Sequence, residues 1–287
     1  MSVGATAFVV GASGYIGGAL LNRASERGAV LGTSSSGRGD FLALQLEVPS
    51  DFDYTKIHSG DVVFLTAAIS APDICAREYE RAWKVNVTGT SAFISQVIDR
   101  GARVIFFSSD TVYGECIEAF DERRLCHPAG EYAAMKREVE HRFLRDSLFK
   151  VVRLSYVFSR EDKFTRYLFG CAERNEEADL FHPFCRAVVY RDDVIDGALA
   201  LAERWHNFPE QVINFGGPAV ISRVEFAECL QKSCLPQLRF TVSEPDSEFF
   251  TNRPRIISMK SPIFARLLGR EPYSLCQAAQ REFGSSS

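Results

Sequence analysis

Ala7-Phe8-Val9-Val10-Gly11-Ala12-Ser13-Gly14-Tyr15-Ile16-Gly17 is a short apolar run that breaks at a glycine and passes, through two more, into a helical pattern carrying Leu20 and Leu21. A strand that turns into a helix through glycine leaves backbone N–H groups free. The positive end of the helix dipole points the same way, so a phosphate can approach both. The spacing is GxxGxxG rather than GxGxxG. Its position between strand and helix, more than the glycines themselves, makes it a dinucleotide-phosphate loop. Gly11, Ser13, Gly14, Tyr15, Ile16 and Gly17 are the first candidate cofactor contacts.

Working outward, apolar runs alternate with helical stretches. Strands are expected at 30–33, 42–48, 61–68, 104–108 and 150–154. Helices are expected through Leu20 and Leu21 to about Arg27, from about 74 to 100 in two pieces, and over 130–147. The runs lack strict period-two alternation, which fits strands buried on both faces. Strand–helix repetition builds a parallel sheet with helices on both sides. The expected fold class is therefore α/β: a Rossmann-type doubly wound parallel sheet with a small, partly helical C-terminal substrate domain. After residue 155 the rhythm changes, then resumes with a strand over 187–190, a helix over 192–205 and a strand over 212–215. Later come a helix over 223–234, a strand over 239–242 and a helix over 262–269. The expected division is 1–158 plus 187–215 for the NAD(P)-binding domain and 159–186 plus 216–287 for the substrate domain. The tail 285–287 is expected to be loose.

Composition narrows the function. The 287 residues are 46% hydrophobic, enough for a large core without disulfide support. A net charge of −4 and no long Lys/Arg run argue against a nucleic-acid partner. No apolar stretch is long enough to span a bilayer, so no membrane partner is expected. Residues 1–7 carry no Lys or Arg and do not read as a signal peptide. The eight cysteines contain no CxxC pair and the five histidines are scattered, so no metal is expected. Reduced thiols and a cytoplasmic protein follow.

Chemistry concentrates at three places. The second strand ends Thr33-Ser34-Ser35-Ser36-Gly37-Arg38, with no acid before Asp40. A carboxylate there would hold a ribose 2′-hydroxyl. Ser34 and Arg38 instead suit a 2′-phosphate, which favours NADPH, with NAD the alternative. Tyr132 and Lys136 stand four apart on a helix and share a face. A cation beside a phenol lowers its pKa, and such a phenol can protonate a developing alkoxide. Ser108-Ser109-Asp110-Thr111-Val112-Tyr113-Gly114 follows a strand, where doubly wound sheets bind ligands.

The glycine motif, Asn86-Val87-Thr88-Gly89-Thr90, the run from Ser108 to Gly114 and the Tyr132/Lys136 pair stand in the order and spacing of extended short-chain dehydrogenases/reductases. Arg153-Leu154-Ser155, Tyr190-Arg191-Asp192-Asp193-Val194, Asn214-Phe215-Gly216-Gly217-Pro218 and Arg253-Pro254-Arg255 extend the resemblance over nearly the whole chain. Within that family the chain looks most like the dTDP-4-dehydrorhamnose reductase branch of sugar-nucleotide enzymes. The resemblance implies Ser109 as the catalytic hydroxyl, Tyr132 as general acid, and Lys136 as the residue that binds the nicotinamide ribose. It implies further cofactor contacts at Thr66, Ala67, Ala68, Asn86, Ser108 and Ser155. A nucleotide-sugar substrate would meet Ser109, Asp110, Thr111 and Tyr132, with Arg186 and Arg253 on its diphosphate. Family members are often dimers, so a homodimer is allowed.

Related dehydratases carry an adjacent Asp-Glu pair after the catalytic Thr, because eliminating water needs a base for the C5 proton. Here Thr111 follows Asp110, which disfavours a dehydratase. Asp110 fits a reductase or a helix N-cap equally. The resulting expectation is NADPH-dependent reduction of a keto group on a nucleotide-linked 4-keto-6-deoxyhexose. The alternative is an epimerase that retains NAD and uses the same Ser, Tyr and Lys. A non-catalytic NADP(H)-binding regulator is disfavoured by the presence of Ser109, Tyr132 and Lys136. Asp192 and Asp193 are expected to cap a helix, and Cys116 to line the cleft. Met259 and Lys260 stand where the family pattern has a more acidic or hydroxyl residue, a departure beside the Arg253-Pro254-Arg255 segment.

Overall fold

A computed structural model describes residues 5–284. Its strands are β1 (Ala7–Val10), β2 (Val30–Ser34), β3 (Leu42–Ala43), β4 (Val62–Leu65), β5 (Arg103–Ser109), β6 (Cys116–Phe120), β7 (Phe149–Leu154) and β8 (Val157–Phe158). They continue with β9 (Glu177–Phe181), β10 (Cys185–Arg186), β11 (Val189–Tyr190), β12 (Val212–Phe215), β13 (Ile221–Ser222), β14 (Arg239–Ser243) and β15 (Ile257–Met259). Seven form the main sheet in the order β12-β7-β5-β4-β1-β2-β3, every neighbouring pair parallel. From β1 the chain builds outward to β2 on one side and to β4 on the other. That topological switch point is where open α/β sheets bind ligands.

The helices are α1 (Tyr15–Ser25), α2 (Pro72–Arg77), α3 (Tyr79–Trp83), α4 (Thr90–Ile98), α5 (Gly130–Phe143), α6 (Lys163–Glu173), α7 (Arg191–Glu203), α8 (Arg223–Ser233), α9 (Pro262–Leu268) and α10 (Leu275–Phe283). Strand residues alternate between two cores. Ala7, Val9, Val62, Phe64, Ile105 and Val152 pack under α1, α7 and α9. Phe8, Val10, Val63, Leu65, Phe106 and Val151 pack under α4 and α5. Both faces are dry, so both alternating sets must be apolar. Each such side chain stabilises the fold by roughly 1.5–3 kcal/mol through burial.

A third core joins α6, α8 and α10 around Phe158, Phe164, Leu180, Phe226 and Leu230. It lies over the carboxyl ends of the main strands, tied to the first helix by the Tyr15 hydroxyl, which donates to Ser159 Oγ at 2.8 Å. The segment of α9 does not join this third core. Phe264 stacks on Phe215 of β12 at 4.1 Å, so residues 262–268 belong to the sheet's own helical layer.

Several expectations need correction. The strand expected over 42–48 shrinks to Leu42–Ala43, and the chain then runs past the sheet edge into short 3₁₀ turns at Pro49–Asp51 and Tyr54–Lys56. The helical stretch over 74–100 divides into α2, α3, a π-turn at Lys84–Gly89 and α4. At the end of the π-turn Gly89 packs against the chain at Leu46, where a Cβ would stand 1.5 Å from the carbonyl oxygen. Asp192 and Asp193 do not cap α7, whose N-cap is Tyr190. Asp192 pairs with Arg23, while the fully buried Asp193 accepts from Arg270 and from the Tyr273 N–H. The expectation of eight reduced thiols also changes. Cys229 on α8 and Cys276 on α10 form a disulfide, and the other six cysteines are free. The expected loose tail at 285–287 lies outside the described residues. Among the described residues no helix is long and apolar enough to cross a membrane.

Candidate active site

β1 ends in Gly11, whose φ of +87° lies in the left-handed region and whose Cβ position is 2.9 Å from the Ala67 nitrogen. Gly17 is tighter still: a Cβ there would meet the Gly11 carbonyl oxygen at 2.2 Å. These two glycines let α1 start directly against the end of β1. No side chain caps α1, so its first-turn N–H groups remain available to a ligand.

In front of them opens a cleft of 610 Å³. Gly11, Ser13, Gly14, Tyr15, Ile16 and Gly17 line it at the helix start, Ser34, Thr66, Ala67 and Ala68 in the middle, and Ser108, Tyr132 and Lys136 at the far end. Arg38 does not line the cleft and is exposed. Sequence reasoning missed the outer wall, formed by Leu44 to Glu47, Arg81 and Val85. Arg81 donates to Glu47 Oε1 at 2.9 Å across this end. Reading 42–48 as a sheet strand hid that wall.

Asn86 does not line the cleft, but it fixes the loop that does. Its Oδ1 accepts from the Ile69 N–H at 2.9 Å and its Nδ2 donates to the Ile69 carbonyl at 2.8 Å. The π-turn carries it there, a common setting for such irregularities.

Tyr132 and Lys136 project from α5. The buried Lys136 donates from Nζ to the Phe107 carbonyl at 2.8 Å and lies 4.5 Å from the Phe106 ring centre. Burial pulls its pKa down to about 8, against the opposing pull of Glu140 and Cys75. Tyr132 moves the opposite way to expectation. Burial pushes its phenol well above the usual range, and Cys75 and Asp110 add to the rise. Lys136 lies 5.8 Å from the Tyr132 ring centre.

Ser109 caps a 3₁₀ turn at Asp110–Tyr113, accepting from the Thr111 N–H at 3.2 Å and its hydroxyl at 2.9 Å. So Ser109, not Asp110, is the cap. Asp110 is buried, accepts from the Ser155 hydroxyl at 2.8 Å, and has Arg186 Nε 3.8 Å away. Burial raises its pKa and Arg186 opposes the rise. Ser155 is thereby turned to Asp110 rather than to the cleft lining.

One buried group went unrecognised in the sequence. Glu140 accepts from the Ser108 hydroxyl at 2.6 Å, from Arg153 Nε at 3.0 Å and Nη2 at 2.5 Å, and from Arg137 at 3.0 Å. It anchors the end of β5 to α5, and so holds Ser108 and Lys136 in one frame. The two expected arginines part company. Arg186 donates to the carbonyls of Cys185, Pro254 and Arg255, close behind Asp110. Arg253 pairs with Asp73 at 2.6 Å. Cys116 does not reach the cleft; it is buried against Tyr113 and Phe120 and donates to the Glu118 carbonyl. Met259 is buried in β15, with Lys260 exposed after it.

Residues 5–271 match the sequence model of the RmlD substrate binding domain. The chain belongs to that family. No curated protein sequence matches it. Solved structures similar to it include a dTDP-4-dehydrorhamnose reductase from Clostridium acetobutylicum, 19% identical with a TM-score of 0.81 over 96% of this chain and 98% of that one. A UDP-glucuronic acid 4-epimerase from Bacillus cereus, solved with a fluorinated UDP-glucuronic acid analogue and NAD, is 20% identical with a TM-score of 0.81 over 96% and 97%. MoeE5 in complex with UDP-glucuronic acid and NAD is 18% identical with a TM-score of 0.80 over 98% and 97%. At these identities the likeness is one of fold.

Proposed function

We propose that the protein is an NADPH-dependent reductase of a nucleotide-linked keto-deoxysugar, with a 4-keto-6-deoxyhexose as substrate. The observation that carries this reading is Tyr132 beside Lys136 at the inner end of a cleft lined by the glycine loop. The cleft's fit to the dinucleotide rests on the Gly11/Gly17 approach and the uncapped start of α1. When bound, the reduced nicotinamide supplies hydride to the carbonyl carbon.

The chain's own residues do the rest. Tyr132 donates its proton to the carbonyl oxygen, and its raised pKa keeps that proton in place at neutral pH. Ser109 donates its hydroxyl hydrogen to the same oxygen, held in position by the turn it caps. Lys136 presents its ammonium to the nicotinamide ribose, positioned by the Phe107 carbonyl. Ser34 and Ser35 line the cleft with no carboxylate beside them on β2, which supports NADPH over NADH. The sheet with 1–158 and 187–215 would carry the cofactor, and 159–186 with 216–287, apart from α9, the sugar nucleotide.

An NAD-retaining epimerase is the second reading. It is favoured by one observation, the placement of Arg38 outside the cleft, which removes a cationic partner for a 2′-phosphate. The test is Tyr132→Phe, assayed on a panel of 4-keto nucleotide sugars. Turnover should fall by roughly 10²–10⁴-fold while NADPH affinity stays as it was. Unchanged turnover would remove Tyr132 from the chemistry and the reading with it.

A further inference from the structure

Arg223 is a half-buried cation without an acceptor. It opens α8 directly after the capping Ser222. Among the described residues its side chain makes no hydrogen bond and no ion pair; its guanidinium lies 4.2 Å from the Phe164 ring centre and 4.9 Å from that of Phe184. Arg186 lies against the same Phe184 ring at 4.4 Å. Burial and the neighbouring Arg186 charge both disfavour the Arg223 cation, which nevertheless stays protonated. Asp162 is the acid nearest in effect to Arg223. Its oxygens are already taken by the Tyr156 and Thr165 hydroxyls and the N–H groups of Ser159, Phe164 and Thr165. A half-buried guanidinium whose donors meet no protein acceptor is open to an oxyanion.

Both arginines line one void of 20 Å³, with Tyr156, Phe184 and Ser222 around it. That space admits an oxygen-sized group, not a whole sugar. Arg253 sits in the opposite setting. Asp73 neutralises it at the edge of a groove that also carries Asp179, Glu244, Asp246 and Glu248, a surface that repels anions.

Building on the function proposed above, we propose that Arg223, backed by Arg186, is the pair that binds an oxyanion of the substrate. It takes the place that family resemblance gives to Arg253. The ligand is a terminal oxygen pair of a phosphoryl or carboxylate group, met by the planar guanidinium fork. The group is either the diphosphate common to all nucleotide sugars or a carboxylate on the sugar itself.

The full chain, saturated with NADPH, is titrated calorimetrically with UDP, dTDP, UDP-glucose, dTDP-glucose and UDP-glucuronate. Arg223→Met should weaken binding by about 10- to 100-fold, more than Arg253→Met does, with NADPH affinity as the control for folding. Weakening across every ligand assigns the diphosphate, and weakening for UDP-glucuronate alone assigns the carboxylate. If Arg223→Met does not fold, Arg223→Lys, which keeps the charge and loses the fork, should still weaken binding several-fold. Wild-type affinity in the Arg223 variants, or a greater loss at Arg253→Met, overturns the proposal and leaves the nucleotide-sugar reading standing. A wild-type chain that binds NADPH but none of the five ligands overturns both.

Discussion

Asn86 holds Ile69 by both edges of its side-chain amide, accepting from the N–H at 2.9 Å and donating to the carbonyl at 2.8 Å. The loop so held carries Thr66, Ala67 and Ala68 along the cofactor cleft. Asn86→Ala leaves both backbone groups of Ile69 without these partners, at a cost of about 1–3 kcal/mol. Dinucleotide affinity should fall by about tenfold or more, and exchange of the amide hydrogens over 66–70 should speed up. Unchanged affinity and exchange would show that the clamp does not position the loop.

Lys136 makes stability depend on pH with a defined sign. Its folded pKa is pulled down to about 8, whereas an unfolded lysine holds its proton to about 10.4. Between these values the unfolded chain binds more protons, so stability rises with pH across that window. Below the folded value the full cost of burying the cation is borne. Lys136→Met should therefore raise Tm at neutral pH and remove this rise, while NADPH binding and turnover drop. In the wild-type chain, dinucleotide affinity should decline as pH passes about 8 and the ammonium is lost. A Tm for Lys136→Met at or below wild type would contradict the burial cost.

Glu140 balances Arg153 in the dry space between α5 and the sheet, with exposures of 0% and 3%. Glu140→Ala leaves the buried guanidinium uncompensated, a loss of about 3–5 kcal/mol. Urea unfolding of the variant should show a large fall in midpoint. A change of only a few tenths would mean that water reaches Arg153.

The Cys229–Cys276 pairing has a direct count as its check. The chain holds eight cysteines, of which six are free among the described residues. Thiol titration of the unreduced, unfolded protein should give six equivalents, rising to eight after reduction. Eight without reduction would restore the sequence expectation.

The doubly wound sheet was legible because its strands are apolar on both faces. Phe8 and Val9 enter different cores, and the sequence shows only a continuous run. The glycine loop and the Tyr132/Lys136 helix face were legible because each needs one residue type at one spacing. Two-residue strands such as β10 and β13 carry no period, and only tertiary contact sets their pairing. Glu140 stands four residues after Lys136 and reads as an ordinary exposed helix acid until Arg153 arrives beneath it from β7. The direction of the Tyr132 phenol's shift departs from the sequence expectation for a related reason. Spacing reveals the nearby cation but not the depth of burial, and burial dominates.

The measurement that bears most directly on the proposed reductase is the fate of its cofactor. Purified protein is unfolded and any released dinucleotide identified; untreated protein is then given NADPH and a panel of 4-keto nucleotide sugars. The account predicts little retained dinucleotide, tighter binding of NADPH than NADH, and oxidation of NADPH in step with sugar reduction. Stoichiometric, tightly held NAD with sugar interconversion and no net NADPH consumption would contradict it and identify an epimerase.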